Sequence, residues 1–482
     1  MQTSIILATA NARYGHTAFG LRWLHANLGP LRGHALIREF TIRDHAAHMA
    51  QTLLGYNPRL VGLGVYIWNI GLITETVRLI KTERPDVTVV VGGPEISHEY
   101  ESTPLFSSAD YLVRGEGELA FAGLAERLLA GQPPKEKVLY QPPDDLSRLR
   151  SPYDLYTDED IARRTLYVES TRGCPYRCAF CLSSIEAGVR EFPLEPFLAD
   201  LEGLIERGAR QFKFVDRTFN LRQARVESIL QFFLARNIEN VRLHFEIVPD
   251  RLTPATLELF AQFPGGVLHL EAGVQSINPE TLDAVSRLQN VEKTIENLRF
   301  LRNQTGAIIH VDLIAGLPGE NLESFGRGFD ALAALRPHEL QVGILKRLKG
   351  TPLARYHGPH KMSFRPDPPY DVIQTESINA GDIDRIKRFA RYFDIYYNSG
   401  NFPQSCPQIW KDMASPFAAF MAFSDFVWEK TRQTHAFSLA QSAKLLFEFL
   451  VKRAGMGNEQ AAALVETDFR RVPGRKDRLR LG

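Results

Sequence analysis

Residues Arg172–Cys181 read RGCPYRCAFC. Three of the chain's 4 cysteines, Cys174, Cys178 and Cys181, fall inside this stretch. Cysteines so few and so clustered do not build a disulfide framework; they point to a reducing compartment and a metal site. Three thiolates spaced x3 and x2 on one tight loop can each take one iron of a cubane cluster, which ordinarily has four Cys ligands. The loop lacks a fourth, so one iron is left open to another ligand. Gly173 and Pro175 favour the turn that such wrapping needs. A structural zinc site is the alternative, but zinc sites usually pair two C-x-x-C arms and the sequence has no second arm.

Outward from this loop, strand and helix patterns alternate. Downstream strand candidates are TLYVEST (165–171), QFKFVD (211–216), RLHFEIV (242–248), VLHLEAGVQ (267–275), IIHVDLIAG (308–316) and ELQVGILK (339–346). Helical segments such as 194–209, 223–237 and 291–304 lie between them. Six such units predict a partial (β/α)6 barrel rather than an open sheet. Upstream, SIILATA (4–10), ALIREFTI (35–42), LVGLGVYIW (60–68), VTVVVGG (87–93) and ADYLVRG (109–115) are apolar runs separated by helical patterns. They predict a parallel, doubly wound, Rossmann-like sheet. Residues 131–154 are rich in Pro and charge and read as a linker. Beyond about residue 360 the pattern becomes helical and aromatic-rich. The fold class is therefore α/β, with domains expected at 1–130, 161–358 and 359–482 and a linker over 131–160.

Composition agrees: 482 residues, 44% hydrophobic, 23% charged and a net charge of +1 suit a globular chain of two or three domains. A near-neutral balance gives no general argument for nucleic-acid or membrane partners. The basic tail, 469–482, reads as a solvated terminal segment. No apolar run reaches the roughly 20 residues of a membrane helix. The first residues lack the basic region of a signal peptide, so they read as a first strand, and a cytoplasmic protein is expected. No G-x-G-x-x-G follows that strand, which disfavours a nicotinamide cofactor.

CPYRCAFC (174–181) closely resembles the C-x3-C-x-aromatic-C signature of radical SAM enzymes. The resemblance implies that Cys174, Cys178 and Cys181 hold a [4Fe–4S] cluster whose open iron chelates S-adenosylmethionine, with Phe180 near the adenine. Further segments extend the likeness over 165–355. FVDRTFN (214–220) brings Asp216 and its neighbours toward the methionine amine, with a helix N-cap as the alternative. FEIVPDRLT puts Glu246 at a strand end, and LEAGVQSINPETLDAVSRLQN (270–290) puts forward Glu271, Gln275, Ser276 and Arg287. In VDLIAGLPGEN (311–321), Gly316 and Gly319 would let backbone approach the flat adenine.

The first 130 residues resemble the cobalamin-binding domain found ahead of some radical SAM barrels. Loops at the carboxyl ends of the strands would form the crevice. They carry Asn11, Tyr66, Trp68, Asn69, Gly92, Gly93, Pro94, Glu95, Arg114, Gly115 and Glu116. The D-x-H-x-x-G motif that places a histidine on cobalt in many such domains is absent, so His16 reads as a loop or core histidine. Segments 370–378 and 389–410 resemble the extension of one cobalamin radical SAM subgroup. Cys406 reads as a buried free thiol, with a hydrogen-donor role near the active site as the alternative. The resemblance implies methylation of an unactivated carbon of a small-molecule substrate, with flavodoxin or ferredoxin as electron donor. Radical cyclisation or rearrangement is the alternative, and a non-catalytic cobalamin sensor is an alternative of another class. A radical SAM enzyme acting on tRNA has only the basic tail in its favour.

Overall fold

The computed structural model describes residues 3–185, 188–236, 238–471, 479 and 481, so most of the basic tail lies outside the described residues. Strand β1 (Ile5–Asn11) is buried along its whole length. Ile6, Ala8 and Ala10 feed one core while Ile5 and Leu7 feed another. A strand apolar on both faces needs helices on both sides. With β2 (Ala35–Thr41), β3 (Leu60–Gly64), β4 (Thr88–Gly92), β5 (Tyr111–Val113) and β6 (Val138–Leu139) it forms a parallel sheet ordered β2-β1-β3-β4-β5-β6.

Helices α1 (Phe19–Ala26), α2 (Ala46–Leu54), α3 (Ile70–Glu83), α4 (Pro104–Ser108) and α5 (Glu118–Leu129) cover the two faces. Leu21, Phe121 and Leu124 pack on one side, Met49, Ile73 and Leu105 on the other. The chain turns to opposite sides of β1 to make β2 and β3, and that switch point opens a crevice at the carboxyl edge. Part of the stretch expected as linker thus joins the sheet, since β6 pairs with β5. An edge strand leaves room for the prolines around it, whose missing N–H groups are not needed by a further neighbour.

Helix α6 (Asp158–Arg163) begins with a capping box between Thr157 and Asp160. It closes a buried ionic hub: Arg22 binds Glu39 and Asp160, each at 2.7 Å, and Arg164 binds Glu39 at 2.7 Å and Asp160 at 2.8 Å. Removing one member would strand a buried charge, so the hub fixes the N-terminal sheet to the segment that leads into the second sheet.

The expected first barrel strand is two. β7 (Leu166–Val168) joins the second sheet, whereas β8 (Thr171–Cys174) leaves it and pairs antiparallel with β9 (Gly188–Glu191). The second sheet adds β10 (Gln211–Phe214), β11 (Arg242–Ile247), β12 (Leu268–Gln275), β13 (Ile308–Ala315) and β14 (Glu339–Ile344). Its order, β14-β13-β12-β11-β10-β7, is all parallel. Here burial alternates strictly: in β12, Leu268, Leu270, Ala272 and Val274 are buried while His269, Glu271, Gly273 and Gln275 are not. One face packs on helices and the other is a polar inner wall.

The outer helices are α7 (Leu194–Glu206), α8 (Gln223–Arg236), α9 (Pro254–Ala261), α10 (Pro279–Ala284), α11 (Val291–Gln304) and α12 (Leu322–Ala333). A hairpin of β15 (Ser363–Phe364) and β16 (Val372–Gln374) comes next. Then come α13 (Ala380–Phe393), α14 (Pro416–Thr431), α15 (Leu439–Lys452) and α16 (Asn458–Arg471). They share one apolar core with the barrel, through rings such as Phe329, Phe389, Phe393 and Phe417. Among the described residues no helix is long and apolar enough to cross a membrane.

Candidate active site

A cavity of about 170 Å³ opens on the inner wall of the second sheet. All three clustered cysteines line it, with Tyr176 and Phe180 from the same loop. Gly173 has φ +94°, and a Cβ there would lie 2.3 Å from the Gly188 carbonyl oxygen, so only glycine lets β8 and β9 meet at the root of the loop. The loop is tied down by hydrogen bonds from Ala179 N–H to Val285 O (2.9 Å) and from Cys181 N–H to Cys178 O (3.0 Å). Burial pushes the Cys178 thiol up, while Arg287, whose guanidinium stands 3.7 Å from its Sγ, opposes this. All three thiols are free. They stand around one mouth from three loop positions, the donor set for a cluster in which each thiolate takes its own iron.

The opposite walls are charged. Burial raises the Glu246 carboxyl, with Arg217 4.0 Å away as its nearest counter-charge. Burial also works against ionised Glu271, but His244 at 2.7 Å and Lys213 at 3.3 Å outweigh it and hold this carboxyl at about 2. Gln275 sits at φ +71°, beside a register shift in the β12–β13 pairing. Arg287 reaches from beyond α10 to the Gly273 carbonyl and to Gln289. Phe180, Glu246, Glu271, Gln275 and Arg287 thus meet at the cavity. Arg217, Thr218 and Asp312 join them.

Several expected contacts lie elsewhere. Asp216 is 1% exposed and accepts hydrogen bonds from Ser170 N–H (3.0 Å), Ser170 Oγ (2.6 Å) and Thr171 Oγ1 (2.7 Å). It pins the β7–β8 junction behind the cavity, and its neighbours Arg217 and Thr218 face the opening instead. Ser276 is buried against Glu320 at 2.5 Å. Gly316 makes room for the C-terminal hairpin rather than for a ring, since a Cβ would meet Val372 at 2.6 Å. Gly319 is in a left-handed turn, φ +77°, with open space around it. Cys406 is fully buried in the apolar core under the C-terminal helices, and burial drives its thiol well up; it lines neither cavity.

A second cavity, about 280 Å³, lies at the crevice of the first sheet. Tyr66, Gly92, Gly93, Gly115 and Glu116 line it, together with Gly62, Gly64 and Gly117. Gly93 has φ +115°, and a Cβ would meet the Val65 carbonyl oxygen at 2.5 Å. Glycine therefore lets two strand-end loops pack edge to edge and leaves the groove wall bare. The polar residues expected to reach a ligand are spent on the protein. Asn11 donates to Glu39 (2.6 Å) and to the His16 carbonyl (2.9 Å). Asn69, 1% exposed, accepts from Tyr66 N–H and donates to Thr9 and the Ala10 carbonyl. Glu95 accepts from Tyr370 Oη at 2.5 Å and pairs with Lys349 at 3.1 Å, docking the domain on the C-terminal hairpin. Arg114 donates to the Ser97 carbonyl, and Pro94 is exposed. Trp68 stacks on Tyr66 (centroids 4.6 Å, 5°) and faces a separate open groove. His16 contacts Tyr167 Oη at 2.7 Å, a loop histidine bridging to β7.

Sequence reading missed Arg172. It pairs with Glu116 (2.8 Å), Glu118 (2.9 Å) and Glu169 (2.9 Å) and lies over the rings of Trp23 and Phe192. It lines the second cavity, two residues ahead of a cysteine of the first. Its place within the cysteine motif was visible, but its carboxylate partners Glu116 and Glu118 are more than 50 residues away in sequence.

Comparison with known proteins accords with this geometry. Residues 5–125 match the B12 binding domain, 168–331 the radical SAM superfamily, and 358–479 a family described as protein of unknown function, DUF4080. The chain thus couples a B12-binding domain to a radical SAM domain, and it is homologous to cobalamin-dependent radical SAM methyltransferases. It is 28% identical to the cobalamin-dependent radical SAM methyltransferase TokK of Streptomyces tokunonensis, over 61% of this chain and 48% of that one. It is 27% identical to the ribosomal protein uS12 methylthiotransferase RimO of Parasynechococcus marenigrum, over 42% of this chain and 44% of that one. The chain spans about half the length of the curated relatives it matches. The solved structure of the cobalamin-dependent S-adenosylmethionine radical enzyme OxsB shares its fold, with a TM-score of 0.65 and 15% identity over 97% of this chain and 78% of that one.

Proposed function

We propose that this chain is a cobalamin-dependent radical SAM methyltransferase that methylates an unactivated carbon of a small molecule. The observation that carries the reading is the junction at Arg172, which sets the B12-domain cavity beside the three-cysteine cavity. When bound, a [4Fe–4S] cluster, S-adenosylmethionine and cobalamin supply the electron, the hydrogen-abstracting radical and the methyl group. The residues present fit these groups. Cys174, Cys178 and Cys181 would ligate the cluster, and Glu246, Glu271, Gln275 and Arg287 would orient S-adenosylmethionine. The bare glycine wall of Gly92, Gly93 and Gly115 would receive part of the corrinoid. Phe180 and Tyr176 line the cysteine cavity and would limit water there once the group is bound.

The test is anaerobic incubation of the reconstituted enzyme with hydroxocobalamin, a reductant, candidate small molecules and S-adenosylmethionine bearing a deuterated methyl group. Methylation gives S-adenosylhomocysteine and 5′-deoxyadenosine together, with a product that gains the labelled methyl. Deoxyadenosine formed with an unlabelled, transformed product and without S-adenosylhomocysteine would reject methylation and favour ring closure or rearrangement.

A further inference from the structure

The junction between the two cavities is an unbalanced charge cluster. The Arg172 guanidinium makes a two-pronged contact with Glu169 (Nε–Oε1 3.1 Å, Nη2–Oε2 2.9 Å) and turns Nη1 to Glu116 and Glu118. Arg190 adds a second cation at Glu116. Three carboxylates meet two guanidiniums in side chains that are mostly buried, a formal excess of one negative charge, and burial raises the Glu169 carboxyl. One carboxylate oxygen of the cluster is left without a partner. Glu118 is 4% exposed, its Oε1 is taken by Arg172, and its Oε2 is buried with no hydrogen-bond partner in the protein. Glu118 also lines the B12-domain cavity. An unpaired buried carboxylate oxygen is costly unless a ligand donates to it.

The other end of the node is the cysteine loop. Arg172 belongs to β8, which ends at Cys174, and Gly173 between them is pressed on the Gly188 carbonyl, leaving no slack at that point. A shift of the Arg172 fork therefore carries over to the first thiol.

We propose that Arg172 is a positioning residue that couples the B12-domain cavity to the cysteine loop, and that Glu118 Oε2 accepts a hydrogen bond from a carboxamide N–H of the bound corrinoid. This rests on the cofactor reading above. The partner class follows from the site: a carboxylate oxygen that lacks a partner selects an N–H donor rather than another acceptor such as phosphate. Bound ligand then completes the node, and the loop is held in one arrangement.

The test uses the full chain, anaerobically reconstituted with iron and sulfide, and hydroxocobalamin as probe. Three quantities are read: iron per chain, corrinoid affinity from absorbance, and the electron paramagnetic resonance spectrum of the reduced cluster with and without corrinoid. Wild type should bind the corrinoid and show a corrinoid-dependent change in the cluster signal. Glu118→Gln should keep its iron and its corrinoid-free signal, while its affinity falls about tenfold or more, the loss of one charge-assisted hydrogen bond. Arg172→Lys keeps the charge but not the fork; it should retain iron yet lose the corrinoid-dependent change. If Arg172→Lys does not fold, Glu118→Gln decides alone. Variants matching wild type in affinity and in the corrinoid-dependent signal would overturn this inference while leaving the cofactor reading intact. Wild type that binds no corrinoid would overturn that reading and this inference with it.

Discussion

Replacing Gly173 by Ala tests how the cysteine loop is held. The substitution adds one methyl group at φ +94°, where its Cβ would stand 2.3 Å from the Gly188 carbonyl oxygen. That oxygen belongs to backbone, so no side-chain rotation relieves the contact. The backbone conformation alone costs an L residue about 1–3 kcal/mol. Relief requires opening the β8–β9 pair, where Arg172 faces Arg190 and Cys174 faces Gly188. Losing one or two of those backbone hydrogen bonds adds about 1 kcal/mol each. The total, roughly 2–5 kcal/mol, falls on the segment that ends at Cys174. Gly208→Ala is the matched control: its φ is +98°, and a Cβ there meets nothing within 4 Å. It should show the backbone cost alone. The assay is thermal unfolding of the apoprotein together with iron per chain after anaerobic reconstitution. Gly173→Ala should melt several degrees below Gly208→Ala and hold much less iron, whereas Gly208→Ala should hold as much as wild type. Equal melting of the two variants, with full iron in both, would refute the reasoning.

Other perturbations separate the remaining parts of the site. Cys174→Ala, Cys178→Ala and Cys181→Ala should each lose reconstituted iron, while Cys406→Ala should keep it, because that thiol lies in the core of the C-terminal region; iron analysis checks this, and comparable loss from Cys406→Ala would defeat the three-ligand assignment. Tyr370→Phe removes the 2.5 Å hydrogen bond to buried Glu95 and should destabilise the chain by about 1–3 kcal/mol in denaturant unfolding. Burial lifts the Glu320 carboxyl to about 7 from its ordinary 4.5, against the hydrogen bond from Ser276. A carboxyl raised on folding stabilises below its unfolded value, and that stability is lost as pH rises through the folded one. Glu320→Gln should therefore flatten the fall in stability between about pH 5 and pH 8, by on the order of 3 kcal/mol, and a wild-type slope in the variant would count against it.

Legibility followed the range of the interactions. The cysteine spacing is local, and the loop brings all three thiols to one cavity. The doubly buried β1 and the strictly alternating β12 were likewise written in the order of their residues, because side-chain direction in a strand has a period of two. Only the tertiary structure decided which polar residues remain free to meet a ligand. Asp216 and Asn69 look like ligand contacts in sequence, but backbone and hydroxyl groups from neighbouring strands consume them. Glu95 is taken by Tyr370, 275 residues away. Conversely, Arg172 is a plain arginine until folding brings Glu116 and Glu118 to it, and Glu118 Oε2 is buried without a protein partner only because of where the chain places its neighbours. A one-dimensional pattern specifies which residues can make an element. Whether a buried donor or acceptor is already satisfied depends on groups the chain brings back from far along its length, and only three-dimensional packing fixes those.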